Sequence, residues 1–494
     1  MAIQNKVMVQ SYKMYINGEW VNSESGEIFT RVNPATLETI GEFQKGNEMD
    51  INSAVDSAED AFETWSEMPA PKRGEILFKV GQFLKENKEE LAKTVTIEMG
   101  KVLTEARDDV QEAIDMIFLM AGEGRRLFGK TTPSELKDKF AMTVRRPLGI
   151  VGLITPWNFP VAIPSWKIMP ALICGNTVVL KPSSDTPLCA IKFIEILEKA
   201  GIPKGVINLV TGPGGVAGIH LVRHKKVRAI SFTGHRDTGI EILRIAGIKR
   251  VSLELGGKNP IIVMDDADLN LALDGVIWGG YGTTGQRCTA ASRVIVHEKI
   301  KDMFEKMLVE RIKKLRLGNG LDAKTDVGPL VNQAAQEKSK TYVGLGLNEG
   351  AKLLIGGHIP KMKGWFFEPT LFTNCSIDMR IAQEEIFGPV VSLISARDLN
   401  DAIKIANSVE YGLSSSIYTN SMSNAFKAIE KIDAGLTYVN SSTIGAEIHL
   451  PFGGVKQSGT TREGGIEGIN EFSETKTVYF DYSGKLQRAQ IDTS

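Results

Sequence analysis

The sequence predicts an α/β protein built on parallel sheets, and three observations carry that prediction. Short apolar runs of strand length alternate with helix-length stretches from residue 148 onward. The runs read as buried strands, apolar along their length, as parallel strands covered by helices do. At 494 residues the chain exceeds what one hydrophobic core holds, so two or three domains are expected.

The first third is helical in pattern. "DINSAVDSAEDAFETWSEM" (50–68), "KRGEILFKVGQFLKENKEELAKTVTIEMGK" (72–101) and "EARDDVQEAIDMIFLMAGEGRRLFG" (105–129) each repeat apolar residues at helical spacing. "LGIVGLITP" (148–156), "NTVVLKP" (176–182), "GVINLVTG" (205–212), "VRAISFTG" (227–234) and "VSLELGG" (251–257) then read as strands. Helices are expected between them at 161–173, 187–200, 215–224 and 238–247, which makes βαβ units.

A second α/β region starts near residue 258 with the strand "NPIIVMDD" and the helix "DLNLALDGVIWGGYG". "SRVIVHE", a helix at 299–315, "AKLLIGG", "VVSLISA", a helix around 401–408, "SSSIYT" and "GLTYVN" continue the alternation. "AMTVRRPLG" (141–149) and "KTVYFDYSG" (476–484) read as edge strands with no partner close in sequence. They are expected to form a small arm that pairs across subunits and hides an exposed edge.

Composition narrows the partners. A formal net charge of −1 provides no global field for nucleic acid or an acidic membrane. No apolar run reaches the ~18 residues of a membrane span. The start "MAIQNKVMVQSYKMYINGEW" lacks the apolar stretch of a leader, which points to the cytoplasm. Four cysteines with no CxxC or HxxxH pattern near them predict neither a metal site nor a disulfide framework.

One cysteine stands apart. Cys288 lies in "GGYGTTGQRCTAASR" (279–293), among glycine, threonine and serine and beside Arg287. Polar backbone and a neighbouring cation lower a thiol pKa, so this setting reads as a reactive cysteine; an inert core thiol is the plain alternative. A cysteine hydrolase would need a histidine base, and none of the six histidines is arranged near Cys288 in sequence.

Three stretches share the chemistry. In "TPWNFP" (155–160) the Asn158 amide is a donor for a developing oxyanion, or else an Asx-turn. In "SLELGGKNP" (252–260) Glu254 sits in an apolar strand, where burial raises its pKa and suits it as a general base, or else it is half of an ion pair. "QEEIFGP" (383–389) sets adjacent carboxylates before Phe387, or simply starts a helix. Two glycine clusters follow strands. "GPGGVAG" (212–218) fits a relaxed dinucleotide fingerprint or an ordinary strand–helix turn. "SFTGHRDTG" (231–239) opens a helix whose amino terminus suits phosphate.

The chain resembles the aldehyde dehydrogenase superfamily, in its hydrolytic, non-phosphorylating branch. "TPWNFP", "NTVVLKPSSDTP", "SFTG", "LELGGKNP", "GQRC", "EEIFGP" and "PFGGVKQSG" follow that family's order from "YINGEW" (15–20) to "KTVYFDY". The resemblance implies a Rossmann-type dinucleotide-binding domain (1–128 and 149–257), a catalytic domain (258–470) and a β oligomerisation arm (129–148 and 471–494). It implies Cys288 as nucleophile, Asn158 as oxyanion donor, Glu254 as hydrolytic base, and Lys167 near the oxyanion and the nicotinamide ribose. The cofactor cleft would be lined by Thr155, Pro156, Trp157, Lys181, Ser183, Ser184, Gly214, Phe232, Gly234, His235, Thr238, Gly239, Leu255 and Gly256. Glu385 and Phe387 would hold the nicotinamide end.

Where NAD-preferring members carry a glutamate, "KPSSDTP" has Ser184, which removes a carboxylate that would repel a 2′-phosphate. With Lys181, and with His235 and Arg236 where Ser-Thr is usual, NADP is expected to serve at least as well as NAD. The substrate is expected to be a small polar aldehyde or semialdehyde of the 2,5-dioxopentanoate type, with glyceraldehyde and lactaldehyde next. Self-association as a dimer or tetramer is expected. A cysteine esterase or acyltransferase without a redox role is the alternative, and a catalytically retired binding protein is a third reading.

Overall fold

The computed structural model describes residues 9–492. Residues 1–8, part of the stretch read for a leader, and 493–494, the tip of the expected arm, lie outside the described residues.

Two seven-stranded sheets organise the chain. In the first, Arg250–Glu254, Val227–Thr233, Ile150–Ile154, Thr177–Lys181 and Ile207–Leu209 run parallel in that order. Strand Ile150–Ile154 is wholly buried, its first neighbours in sequence lie to one side and the later pair to the other. The order therefore reverses between Ile150–Ile154 and Val227–Thr233, and the carboxyl ends of strands at such a reversal leave a crevice for a ligand. The second sheet runs Lys352–Ile355, Thr370–Thr373, Val390–Ala396, Ala291–His297, Asn259–Val263, Ser414–Tyr418 and Leu436–Val439, parallel except for its first strand.

Local differences from the sequence reading have physical causes. The stretch 72–101 is two helices, Ala70–Glu86 and Lys88–Met99. Asn87 separates them because its side-chain Nδ2 donates to Phe83 O at 2.7 Å, so the side chain competes with the backbone for the helix's last carbonyls. The expected helix 215–224 begins as a single π-type turn, Gly214–Gly218, before Ile219–Arg223. Strands Met14–Ile16 and Glu19–Val21 extend the first sheet and were not anticipated. Their turn is Asn17–Gly18, both at positive φ (54° and 75°), the tight hairpin that Asn-Gly favours. Helices Gln333–Asn348 and Met422–Lys431 were also not anticipated.

The two partnerless strands find each other. Lys139–Pro147 and Ser473–Asp481 pair antiparallel within one chain, from Ser473 opposite Pro147 to Asp481 opposite Lys139. This corrects the expectation that the two pair across subunits. Loop closure over more than three hundred residues adds only slowly to its entropic cost, so distance in sequence is no bar. Thr131–Pro133 completes a three-stranded sheet, and Ser473–Asp481 remains its outer, mostly exposed edge.

Candidate active site

The Cys288 loop is held from both sides. After helix Leu269–Tyr281, Thr283 and Thr284 take φ of 51° and 59°, a conformation costly for β-branched residues. Glu105 stabilises it by accepting from Thr283 N (2.9 and 3.0 Å) and Thr283 Oγ1 (2.9 Å). Gln286 Oε1 accepts from Val331 N at 2.9 Å, and Asn259 Nδ2 donates to Cys288 O at 2.7 Å. Cys288 is the one cysteine of four that is not fully buried.

Arg287 does not act on the thiol as its sequence position suggested. Its Nε donates to Thr283 Oγ1 at 2.8 Å, and its guanidinium lies over Trp278 at 4.6 Å and near Phe159 at 5.2 Å. Burial, then the charges of Glu385 and Glu254, push the Cys288 thiol up to about 12. The resting cysteine is therefore a thiol between two carboxyl groups.

Asn158 is buried, and its Nδ2 donates to Gln286 O at 3.1 Å. Its Oδ1 has no partner among the described residues, which rules out the Asx-turn reading. Glu254 ends strand Arg250–Glu254, and neither carboxylate oxygen has a partner, so it is not half of an ion pair. Burial first, then Glu463, holds its carboxyl well above the usual range, with Lys167 opposing.

Lys167 lies behind Glu254 and lines none of the cavities described below. It pairs with Glu463, and its Nζ donates to Ser231 Oγ at 2.8 Å, so its expected place by the nicotinamide ribose is corrected. Burial and Glu463 lift Glu471, in the same cluster, to about 7. Sequence reading missed Glu463 and Glu471. An available signal was the glutamate before Gly464–Gly465, both at positive φ, where the chain folds back beneath the site.

Three cavities meet around these groups. One of about 250 Å³ is lined by Cys288, Glu254, Arg287, Trp278, Phe452 and Glu463, among others. A second, of about 290 Å³, is lined by Trp157, Asn158, Gly256, Cys288, Glu385 and Phe387, with Pro156, Gly234, His235 and Leu255. Glu385 Oε1 accepts from Gly257 N at 3.0 Å; a Cβ at Gly256 would meet Glu385 Oε2 at 2.3 Å. Phe387, at φ 61°, sets its ring edge-on to Trp157 at 5.4 Å. Glu384 turns outward to Arg380 and Tyr342, and helix Arg380–Gln383 ends on the first residue of this segment rather than starting in it.

The third cavity, about 680 Å³, lies at the carboxyl ends of the first sheet and holds Thr155, Pro156, Trp157, Lys181, Ser183, Ser184, Gly214, Phe232, Gly234, His235 and Thr238 in its wall. A nicotinamide dinucleotide fits this wall. Buried Thr155 Oγ1 and half-buried Thr233 Oγ1 line it without partners, and beside Gly214 and Gly215 a Cβ would meet nothing within 4 Å. Gly239 is not in the wall. A Cβ there would meet Leu255 at 2.7 Å, so this glycine brings helix Arg236–Ala246 close to the sheet. Arg236 is also outside it, paired with Glu410 at 2.8 Å and Asp237 at 3.0 Å. Lys181 Nζ donates to Pro182 O and Gly212 O, and burial brings it down to about 8.

A crevice at a sheet reversal, sharing wall residues with a cavity that holds a cysteine, fits an enzyme that binds a nucleotide beside a thiol. Residues 20–478 match the aldehyde dehydrogenase family. The chain is 43% identical over 95% of its length to the alpha-ketoglutaric semialdehyde dehydrogenase of Bacillus subtilis, covering 98% of that protein. It is 40% identical over 97% of its length to the D-glyceraldehyde dehydrogenase (NADP(+)) of Picrophilus torridus, covering 98% of it. The betaine aldehyde dehydrogenase of Staphylococcus aureus, solved in complex with NAD+, superposes with a TM-score of 0.95 at 38% identity, covering 97% of this chain and 96% of that one. The chain belongs to the aldehyde dehydrogenase family and is an NAD(P)-dependent enzyme that oxidises aldehydes.

Proposed function

We propose that the protein oxidises a small polar semialdehyde, of the 2,5-dioxopentanoate (α-ketoglutarate semialdehyde) type, to its carboxylic acid through a covalent intermediate on Cys288. One observation carries this reading: Cys288 walls both the cavity that holds Glu254 and the cavity that holds Glu385 and Phe387. The first has room for on the order of eight waters, which suits a small substrate.

The thiol gives up its proton to water, which carries it to solvent, and the sulfur adds to the aldehyde carbon. The carbonyl electron pair moves onto oxygen, where the Asn158 amide and the Cys288 N–H stabilise it; one such donor contributes about 3–4 kcal/mol. A nicotinamide held in the crevice would accept the hydride, and as the hydride leaves the carbon the oxyanion pair re-forms the carbonyl, leaving a thioester on Cys288. Glu254 then takes a proton from water, the hydroxide attacks the thioester carbon, and the C–S bond breaks to return the sulfur to Cys288 and release the acid. The unpartnered oxygens of Glu254 leave it free for that water.

The first sheet's region serves as the dinucleotide-binding domain, the second as the catalytic domain, and the three-stranded sheet as the arm of a dimer or tetramer. Both cofactors are used, because Ser184 puts no carboxylate near a 2′-phosphate and its Oγ is occupied by Gly212 O at 2.8 Å. Lys181 contributes little attraction, since carbonyls already occupy its Nζ.

The test is the Cys288→Ala protein. It should form no NAD(P)H from aldehyde yet bind cofactor, and turnover close to the parent's would end the covalent reading. One NAD(P)H per acid released separates this from the esterase alternative, which makes none.

A further inference from the structure

The semialdehyde reading leaves open what recognises the end of the substrate away from its aldehyde. Arg287 is the only cation in the wall of the Cys288–Glu254 cavity among the described residues. It is 8% exposed. Its Nε is bound to Thr283 Oγ1, while neither terminal guanidinium nitrogen makes a hydrogen bond; the nearest carboxylate, Glu105, is 3.7 Å away and already accepts from Thr283. The planar fork is thus fixed by one edge and by two aromatic faces, and among the described residues its terminal nitrogens make no hydrogen bond, only the 3.7 Å pairing with Glu105. A fork held in this way matches a carboxylate bidentately.

The Trp166 indole N–H is buried in the same cavity beside Glu112, whose carboxyl burial raises to about 7 with that N–H among the groups opposing. Asp108 is exposed at the rim. Aromatic walls of this kind attract a quaternary ammonium when their faces are free. Here the protein's own guanidinium lies over Trp278 and near Phe159, so a cationic aldehyde would meet a like charge where it would otherwise find an aromatic face.

We propose that Arg287 is a specificity-determining residue that grips the distal carboxylate of the aldehyde and selects carboxylated aldehydes over neutral and cationic ones. The inference rests on the assignment of this cavity to the aldehyde. Glu105 and the left-handed Thr283–Thr284 turn are positioning residues that aim the fork.

The experiment compares kcat/KM for succinic semialdehyde, butanal and betaine aldehyde in the parent, Arg287→Met and Arg287→Lys proteins. The ratio of succinic semialdehyde to butanal should fall about 100-fold in Arg287→Met, carried by KM, and about tenfold in Arg287→Lys, which keeps charge but loses the fork. Equal losses on both substrates would overturn the inference and leave Arg287 a support for the loop. A parent that oxidises betaine aldehyde better than succinic semialdehyde would overturn the semialdehyde reading itself. A measurement on the parent alone covers the case in which the variants do not fold. Glutarate should protect Cys288 from iodoacetamide and choline should not; protection by choline alone, or by neither, contradicts the proposal.

Discussion

At the scale of single residues, burial first, and then the charges of Glu385 and Glu254, keep the Cys288 thiol protonated. Below its pKa the thiolate fraction rises about tenfold per pH unit, so alkylation of the cofactor-free protein should keep accelerating past about pH 10, where an ordinary cysteine has levelled off. Glu385→Gln removes a negative neighbour, lowers the thiol pKa and should speed alkylation at about pH 8 several-fold; an unchanged rate would show that burial alone holds the thiol. Glu254→Gln should give a burst of about one NAD(P)H per site and then little turnover, read by rapid mixing. Ser184→Glu should lower kcat/KM for NADP+ about tenfold and spare NAD+. The sequence was informative here where one residue's chemistry conflicted with its surroundings, as with Glu254 in an apolar strand or Cys288 among glycines. It misled where adjacency stood in for proximity. Arg287 precedes Cys288 in the chain, yet its guanidinium is held at Thr283 and Trp278 and not at the thiol.

At the scale of elements, helix Pro187–Lys199 begins against a carboxyl group from another helix. Glu98 accepts from Leu188 N at 2.7 Å and Cys189 N at 2.8 Å, all of it buried. Glu98→Ala leaves two amides of the first turn unpaired and should cost about 2–4 kcal/mol in urea unfolding. Burial raises the Glu98 carboxyl to about 7 from an unfolded value of about 4.3, so its protonation stabilises the fold at acid pH. That contribution is present below the unfolded value and is lost as pH rises through about 7. Glu98→Gln stays neutral at every pH, so the variant should gain stability relative to the parent as pH rises from about 5 to about 8. Element positions were largely legible because buried strands and amphipathic helices announce themselves by period. The break at Asn87 was not, because one side chain decided it against a continuous helical pattern.

At the scale of the whole molecule, the arm sheet leaves Phe140, Tyr479, Phe480 and Tyr482 exposed. Removing residues from Lys476 onward strips strand Lys139–Pro147 of most of its partner and should convert a dimer or tetramer into monomers or aggregates, read by light scattering; an oligomer of native size would count against the arm. The pairings that assemble the site were the least legible part, since Lys167 and Glu463 are 296 residues apart and no local pattern links them. That separation also sets a timetable for the molecule's synthesis. At about 5–20 residues per second, Glu463 leaves the ribosome roughly 15 to 60 s after Asn158. Until the segment carrying Gly453 and Gly459 has been made and packed on Glu254, that carboxyl has no cover on this side. It begins as an ordinary exposed acid, and its affinity for a proton rises only when the last tenth of the chain closes over it. A nascent chain halted at Asn440 should therefore carry Cys288, Asn158 and the nucleotide crevice, bind cofactor, and oxidise no aldehyde until translation resumes.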